Sequence, residues 1–84
     1  MPTSPDEKLL VLGRTIRRMR RERDLSQEAV ALAAGVHPNQ VGRLERGTGD
    51  VYTTTMLRIV GGLGVSLSDV AREYDERLGE HESA

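Results

Sequence analysis

QEAVALAAGVHPNQVGRLER, residues Gln27 to Arg46, is the stretch whose reading decides the fold. Ser26 stands before it, and a serine hydroxyl can take one of the free amides of a first turn, so a helix is expected over Gln27–Ala34. Gly35 ends that helix, because glycine enters the left-handed conformation of a helix terminus without a Cβ penalty. His37-Pro38 starts another, with His37 in the cap and the fixed φ of proline suiting the first turn, and Gly47 stops it after Arg46. Two helices that cross closely need a small residue at the crossing, and Ala31 supplies it. Val30, Val36, Val41 and Leu44 are the apolar positions that pin the pair to a third helix.

That third helix lies upstream. Ser4-Pro5-Asp6-Glu7 reads as a helix start, with Ser4 as cap, Pro5 at the first position and Glu7 closing a capping box. Leu9, Leu12, Ile16 and Met19 recur at helical spacing and define its buried stripe, which ends near Asp24, with Leu25 closing the connection. Downstream, Thr48–Tyr52 reads as a loop. Thr53–Leu63 follows as a fourth helix with Met56, Leu57, Ile59, Val60 and Leu63 apolar, its end weakened by Gly61 and Gly62 at roughly 1 kcal/mol each relative to alanine. Ser66-Leu67-Ser68-Asp69 repeats the capping pattern and opens a fifth helix with an apolar face of Leu67, Val70, Ala71, Tyr74 and Leu78. Gly79–Ala84 reads as a frayed, flexible polar tail. The expectation is one all-α, five-helix domain over residues 1–84, with its core in about 5–78 and the tail in 79–84.

Composition narrows what such a domain can do. The 84 residues hold no Cys, Phe or Trp and two Tyr, so the core must come from Leu, Val, Ile, Met and Ala, and thiolate metal sites and disulfides are excluded. The apolar run Leu9–Leu12 follows Asp6 and Glu7 and is far shorter than the roughly 7–15 apolar residues of a signal peptide, so a cytoplasmic protein without membrane attachment is expected. The formal net charge of −1 hides a division: Lys8 to Arg46 holds nine basic and four acidic residues, whereas the chain from Ser66 onward holds two basic and six acidic. A basic face with an acidic tail responds to local potential, not to the total. His37 and His81 have no metal-ligand spacing, and no base is positioned to activate Ser26 beside Asp24 and Glu28, so neither metal, cofactor nor enzymatic activity is expected.

The segment Gln27–Arg46, together with RRMRRERDLSQEAVALAAGV, the RLERG ending and LGVSLSDV, resembles the phage-repressor family of helix-turn-helix proteins (Cro and lambda-repressor-like, or XRE-type), over about Leu12 to Val70. The resemblance implies a lambda-repressor-like fold whose second and third helices form the motif, and a sequence-specific, double-stranded-DNA-binding transcriptional regulator that reads the major groove with His37–Arg46. It places His37, Pro38, Asn39, Gln40, Gly42, Arg43 and Arg46 toward DNA. Among these, Asn39 and Gln40 can pair bidentately with adenine and Arg43 with guanine O6 and N7, each worth roughly 1–3 kcal/mol of discrimination. His37 is a cap within reach of DNA. Gln27 is implied to meet a phosphate at a helix N-terminus, with Arg46 and Arg18 as further phosphate contacts. Arg20 and Glu45 match a pair that ties the first helix to the recognition helix. Pro38 and Gly42 replace side chains that often touch DNA in this family, and the loop Thr48–Tyr52 carries Asp50 where Lys or Arg is common, so few readers remain.

Arg14, Arg17, Arg18, Arg20, Arg21 and Arg23 crowd the first helix, and a 3.6-residue period forbids them from sharing one partner. Tyr74 and Leu78 extend past the segment that the family needs for its core, so they are candidate homodimer contacts, in keeping with a dimeric repressor or autoregulator on a pseudo-palindrome. Packing on the first helix through Leu10 or Val11 is the alternative for that face. The competing function is an antitoxin-like or accessory module whose fifth helix and acidic tail hold a protein partner.

Overall fold

The computed structural model describes residues 3–83 as five helices, and among the described residues there is no strand. α1 spans Pro5–Glu22, α2 Gln27–Ala34, α3 Pro38–Arg46, α4 Thr53–Leu63 and α5 Leu67–Ser83. Local chemistry accounts for the starts. The Ser4 hydroxyl accepts from Glu7 N at 3.1 Å and the Ser26 hydroxyl from Ala29 N at 3.0 Å. Before α5 the box is reciprocal: Asp69 N donates to Ser66 Oγ at 3.1 Å while Ser66 N donates to Asp69 Oδ2 at 3.2 Å. At α1 the box stops half-made, because the Glu7 carboxylate is engaged by His81 Nε2 at 3.0 Å.

Gly35 takes φ 70° at the end of α2 and sends Val36 N back to Ala31 O at 3.0 Å, which makes the tight turn of the motif. The turn between α1 and α2 is made differently: Asp24 itself adopts φ 54°, a conformation that Asp tolerates better than most side chains.

The core gathers Ile16 and Met19 of α1, Val30 and Ala31 of α2, Val41 and Leu44 of α3, Ile59, Val60 and Leu63 of α4, and Val70 of α5. Leu12, Leu25, Val36, Val51, Met56 and Val65 close its edges. Helices come close where glycines allow it. A Cβ on Gly13 would stand 2.4 Å from Glu45 O and 2.6 Å from Leu44 O, so α1 and α3 meet backbone to side-chain-free backbone. One on Gly62 would stand 2.7 Å from Val30 O. Gly62 is therefore the contact residue between α2 and α4 rather than a weak helix end.

Two further expectations are corrected. Residues 79–83, read as a frayed tail, continue α5, with Glu82 accepting from Thr3 Oγ1 at 2.7 Å; Ala84 lies outside the described residues. The apolar face expected on α5 is divided: Val70 is buried, Tyr74 and Leu78 are half-buried, and Leu67 and Ala71 are exposed. Tyr74 turns toward α1, where it lines an open apolar cleft of about 320 Å³ with Pro5, Lys8, Leu9, Leu12, Met56, Leu67, Val70 and Ala71. Burial there holds the Tyr74 hydroxyl above its ordinary pKa, with Asp75 and Glu82 adding to the effect.

Candidate nucleic-acid interface

The motif presents α3 through a cap made by its own first side chain. His37 Nδ1 accepts from Asn39 N at 3.0 Å, which leaves Nε2 as the ring nitrogen turned to solvent. Asn39, Arg43 and Arg46 are exposed and Gln40 is half-buried. Four polar side chains thus share one side of a nine-residue helix, with the His37 ring at its cap, while Val41 and Leu44 on the opposite face are in the core.

Behind them lies a buried ionic network. Arg20 Nε donates to Glu45 Oε2 at 2.6 Å and Arg20 Nη2 to Glu45 Oε1 at 2.9 Å, and Arg20 Nη1 donates to Leu25 O at 2.8 Å. Glu45 holds the Arg20 guanidinium above its ordinary pKa, the hydrogen bonds outweighing desolvation. The implied link from α1 to α3 is therefore formed, and it has a third member that sequence reasoning missed. Gln27 Nε2 donates to Glu45 Oε1 at 3.1 Å. The Gln27 amide retains one hydrogen and its carbonyl oxygen for a ligand, now in a fixed orientation.

Around Gln27 the structure forms a cleft of about 300 Å³ lined by Arg17, Arg20, Arg21, Gln27, Gly42, Glu45 and Arg46. Gly42 is buried at its floor. A Cβ there would stand 3.0 Å from Arg46 Nη1 and 3.6 Å from Gln27 Oε1, so the absence of a side chain is what lets Arg46 lie across the helix beside Gln27. Arg18 stands apart from the cleft, facing Glu22 at 3.4 Å, and Arg23 donates to Met19 O at 3.1 Å. Arg17 and Arg21, which the sequence does not distinguish from their neighbours, are the α1 cations beside the motif. Their i, i+4 spacing was the available signal, but only the register against α3 selects that face of α1. Among the described residues, no carboxylate lies within ion-pair distance of Arg17, Arg21, Arg43 or Arg46.

No group of three or more His, Asp or Glu side chains able to hold a metal occurs among the described residues, and no helix is long and apolar enough to cross a membrane.

An all-helical domain with a capped, cation-flanked α3 packed at a tight turn on α2 defines a DNA-binding helix-turn-helix unit. Residues 16–70 match the family model described as Helix-turn-helix, and the chain belongs to that family of DNA-binding transcriptional regulators. Among solved structures it is similar to the restriction-modification controller protein C.AhdI from Aeromonas hydrophila, at 29% identity and TM-score 0.68 over 74% of this chain and 94% of that one. It is similar also to the clp gene regulator ClgR from Corynebacterium glutamicum, at 25% identity and TM-score 0.81 over 90% and 81%. The controller C.Esp1396I bound to a 19 base pair DNA duplex shares the fold, at 20% identity and TM-score 0.79 over 84% and 95%. No curated protein sequence matches the chain.

Proposed function

We propose that this regulator reads duplex DNA by placing α3 in the major groove, with Arg43 on guanine and Asn39 and Gln40 on adenine, and with His37 Nε2 at the entrance. The cleft at Gln27 grips a backbone phosphate: Gln27, the first residue of α2, lines it together with Arg17, Arg21 and Arg46. The observation that carries the reading is this convergence of three unpaired guanidinium groups on the α2 N-terminus, beside the exposed polar face of α3. Arg18, satisfied by Glu22, is peripheral.

The regulator acts in the cytoplasm as a dimeric repressor or autoregulator, binding rather than catalysing. The apolar cleft at Leu9, Leu12, Met56, Leu67 and Tyr74 offers a second copy a surface of suitable chemistry. A solution mass near twice 9.3 kDa, falling to 9.3 kDa in Leu67→Glu, is the expected result by light scattering.

Salt titration of DNA affinity tests the phosphate grip. Arg17→Ala, Arg21→Ala and Arg46→Ala should each weaken all sequences alike and make log K less steep against log salt by about one unit. Arg18→Ala should change the slope by much less. Equal slopes for the wild type and all four variants would defeat the assignment.

A further inference from the structure

Arg43 does not extend freely from α3: its guanidinium lies against the loop that follows the helix, at Gly49. A Cβ built on Gly49 would stand 3.0 Å from Arg43 Nη2, 3.2 Å from Nε and 3.4 Å from Cζ. Nη2 and Nε both lie nearer than Cζ, so the Nε–Nη2 edge of the guanidinium, not a single tip, occupies the space beside Gly49. The backbone does not demand glycine at this position, since the left-handed glycines are Gly35, Gly47 and Gly64. Nor does packing against the fold demand it, because the three nearest atoms to the missing Cβ all belong to Arg43. What the absent side chain accommodates is the Arg43 head.

We infer that Gly49 is a positioning residue for base readout: by leaving space for the guanidinium it sets the direction from which Arg43 meets a base edge. The inference rests on the assignment of Arg43 to base recognition. Arg is strong at guanine because two parallel N–H donors match O6 and N7 at once, a match that tolerates little displacement. An arginine side chain also carries about 2 kcal/mol of rotamer entropy, so a seat that restricts it beforehand lowers what must be lost on docking. An alanine at position 49 would push the flexible head away by a few tenths of an ångström or force it into another rotamer, while the fold has no reason to change.

The test is selection of bound duplexes from a random pool, followed by affinity measurements across salt, for the wild type, Gly49→Ala, Arg43→Ala and the double variant, with Thr48→Ala as a control in the same loop. Gly49→Ala is expected to keep the thermal midpoint and the salt slope of the wild type. It should lose at least about fivefold of the preference at the same base pair where Arg43→Ala loses it, in line with the range for one bidentate contact. The double variant should lose no more than Arg43→Ala alone, and Thr48→Ala should keep the motif. If Arg43→Ala leaves the selected motif intact, the readout assignment itself fails. If Arg43→Ala erases a preference that Gly49→Ala retains, the seat is irrelevant and the inference is overturned, as it is if Gly49→Ala weakens every sequence equally.

Discussion

Arg20 and Glu45 have side chains only 10% and 3% exposed, and their value to the protein depends on how completely each is satisfied. Both carboxylate oxygens accept from Arg20, one accepts also from Gln27, and the third guanidinium nitrogen reaches Leu25 O. A pair so buried contributes little over a well-packed apolar replacement, but removing one partner strands the other charge. Glu45→Ala should therefore cost about 3–5 kcal/mol in urea unfolding, and Arg20→Met with Glu45→Leu much less; a loss below about 1 kcal/mol for the single variant would mean that water reaches the guanidinium. The pairing of these residues was legible from the chain, as an implication of family resemblance. The Gln27 donation was not, because it depends on a rotamer chosen between two helices. Asp69 shows residue-scale chemistry of another kind. Its carboxylate accepts from the Ser66 backbone N–H and interacts with the Ser66 side chain, and both hold its pKa below the usual value. A depressed carboxylate supplies its stabilisation above the ordinary carboxylate range and loses it as pH falls through the lowered value. An NMR titration should place the Asp69 midpoint below that of an unperturbed aspartate, with Ser66→Ala moving it part of the way back; an ordinary midpoint in the wild type would show that the cap does not form.

Helix bounds follow from short-range rules, which is why Ser26, Gly35, His37, Pro38 and Gly47 announce α2 and α3 in the bare sequence. Contacts between helices follow different rules. Gly61 and Gly62 are adjacent, both lie in α4, and any propensity scale treats them alike. The structure separates them, since a Cβ on Gly61 meets nothing within 4 Å whereas one on Gly62 meets Val30 O at 2.7 Å and Ala34 N at 3.1 Å. Gly61→Ala should stabilise the protein by about 0.5–1 kcal/mol through helix propensity and a less flexible unfolded chain. Gly62→Ala should destabilise it by about 1–3 kcal/mol, because backbone atoms cannot yield as a side chain can. Thermal unfolding of the two variants decides the matter, and midpoints moving in the same direction would contradict the packing of α2 on α4. Gly13 escaped the sequence reading for the same reason: its partners, the carbonyls of Leu44 and Glu45, lie two helices further on in α3, and nothing near Gly13 in the chain points to them.

Over the whole molecule the core is concentrated at the motif. It draws on α2, α3, α4 and the second half of α1, and past Val70 α5 contributes no fully buried residue. Beyond that point α5 is held by the half-buried Tyr74 and Leu78 and by two exposed polar contacts, Thr3 with Glu82 and His81 with Glu7, whose partners stand 79 and 74 residues apart in the chain. Such separations are invisible to a local reading, which saw Gly79 and a polar run and concluded a frayed tail. Exposed contacts of this kind are typically worth 0–1 kcal/mol, enough to favour the helical state without tying it to the cooperative core. The last turn of α5 should consequently open by itself while the motif stays folded. In native-state hydrogen exchange, the amides of Gly79–Ser83 are expected to exchange through local opening at small free energies, insensitive to low urea, while those of Val41, Ile59 and Val60 exchange only with global unfolding. Protection at Gly79–Ser83 equal to that of Ile59 would require a further surface covering the end of α5. Its disappearance on dilution would identify that surface as a second copy of the chain.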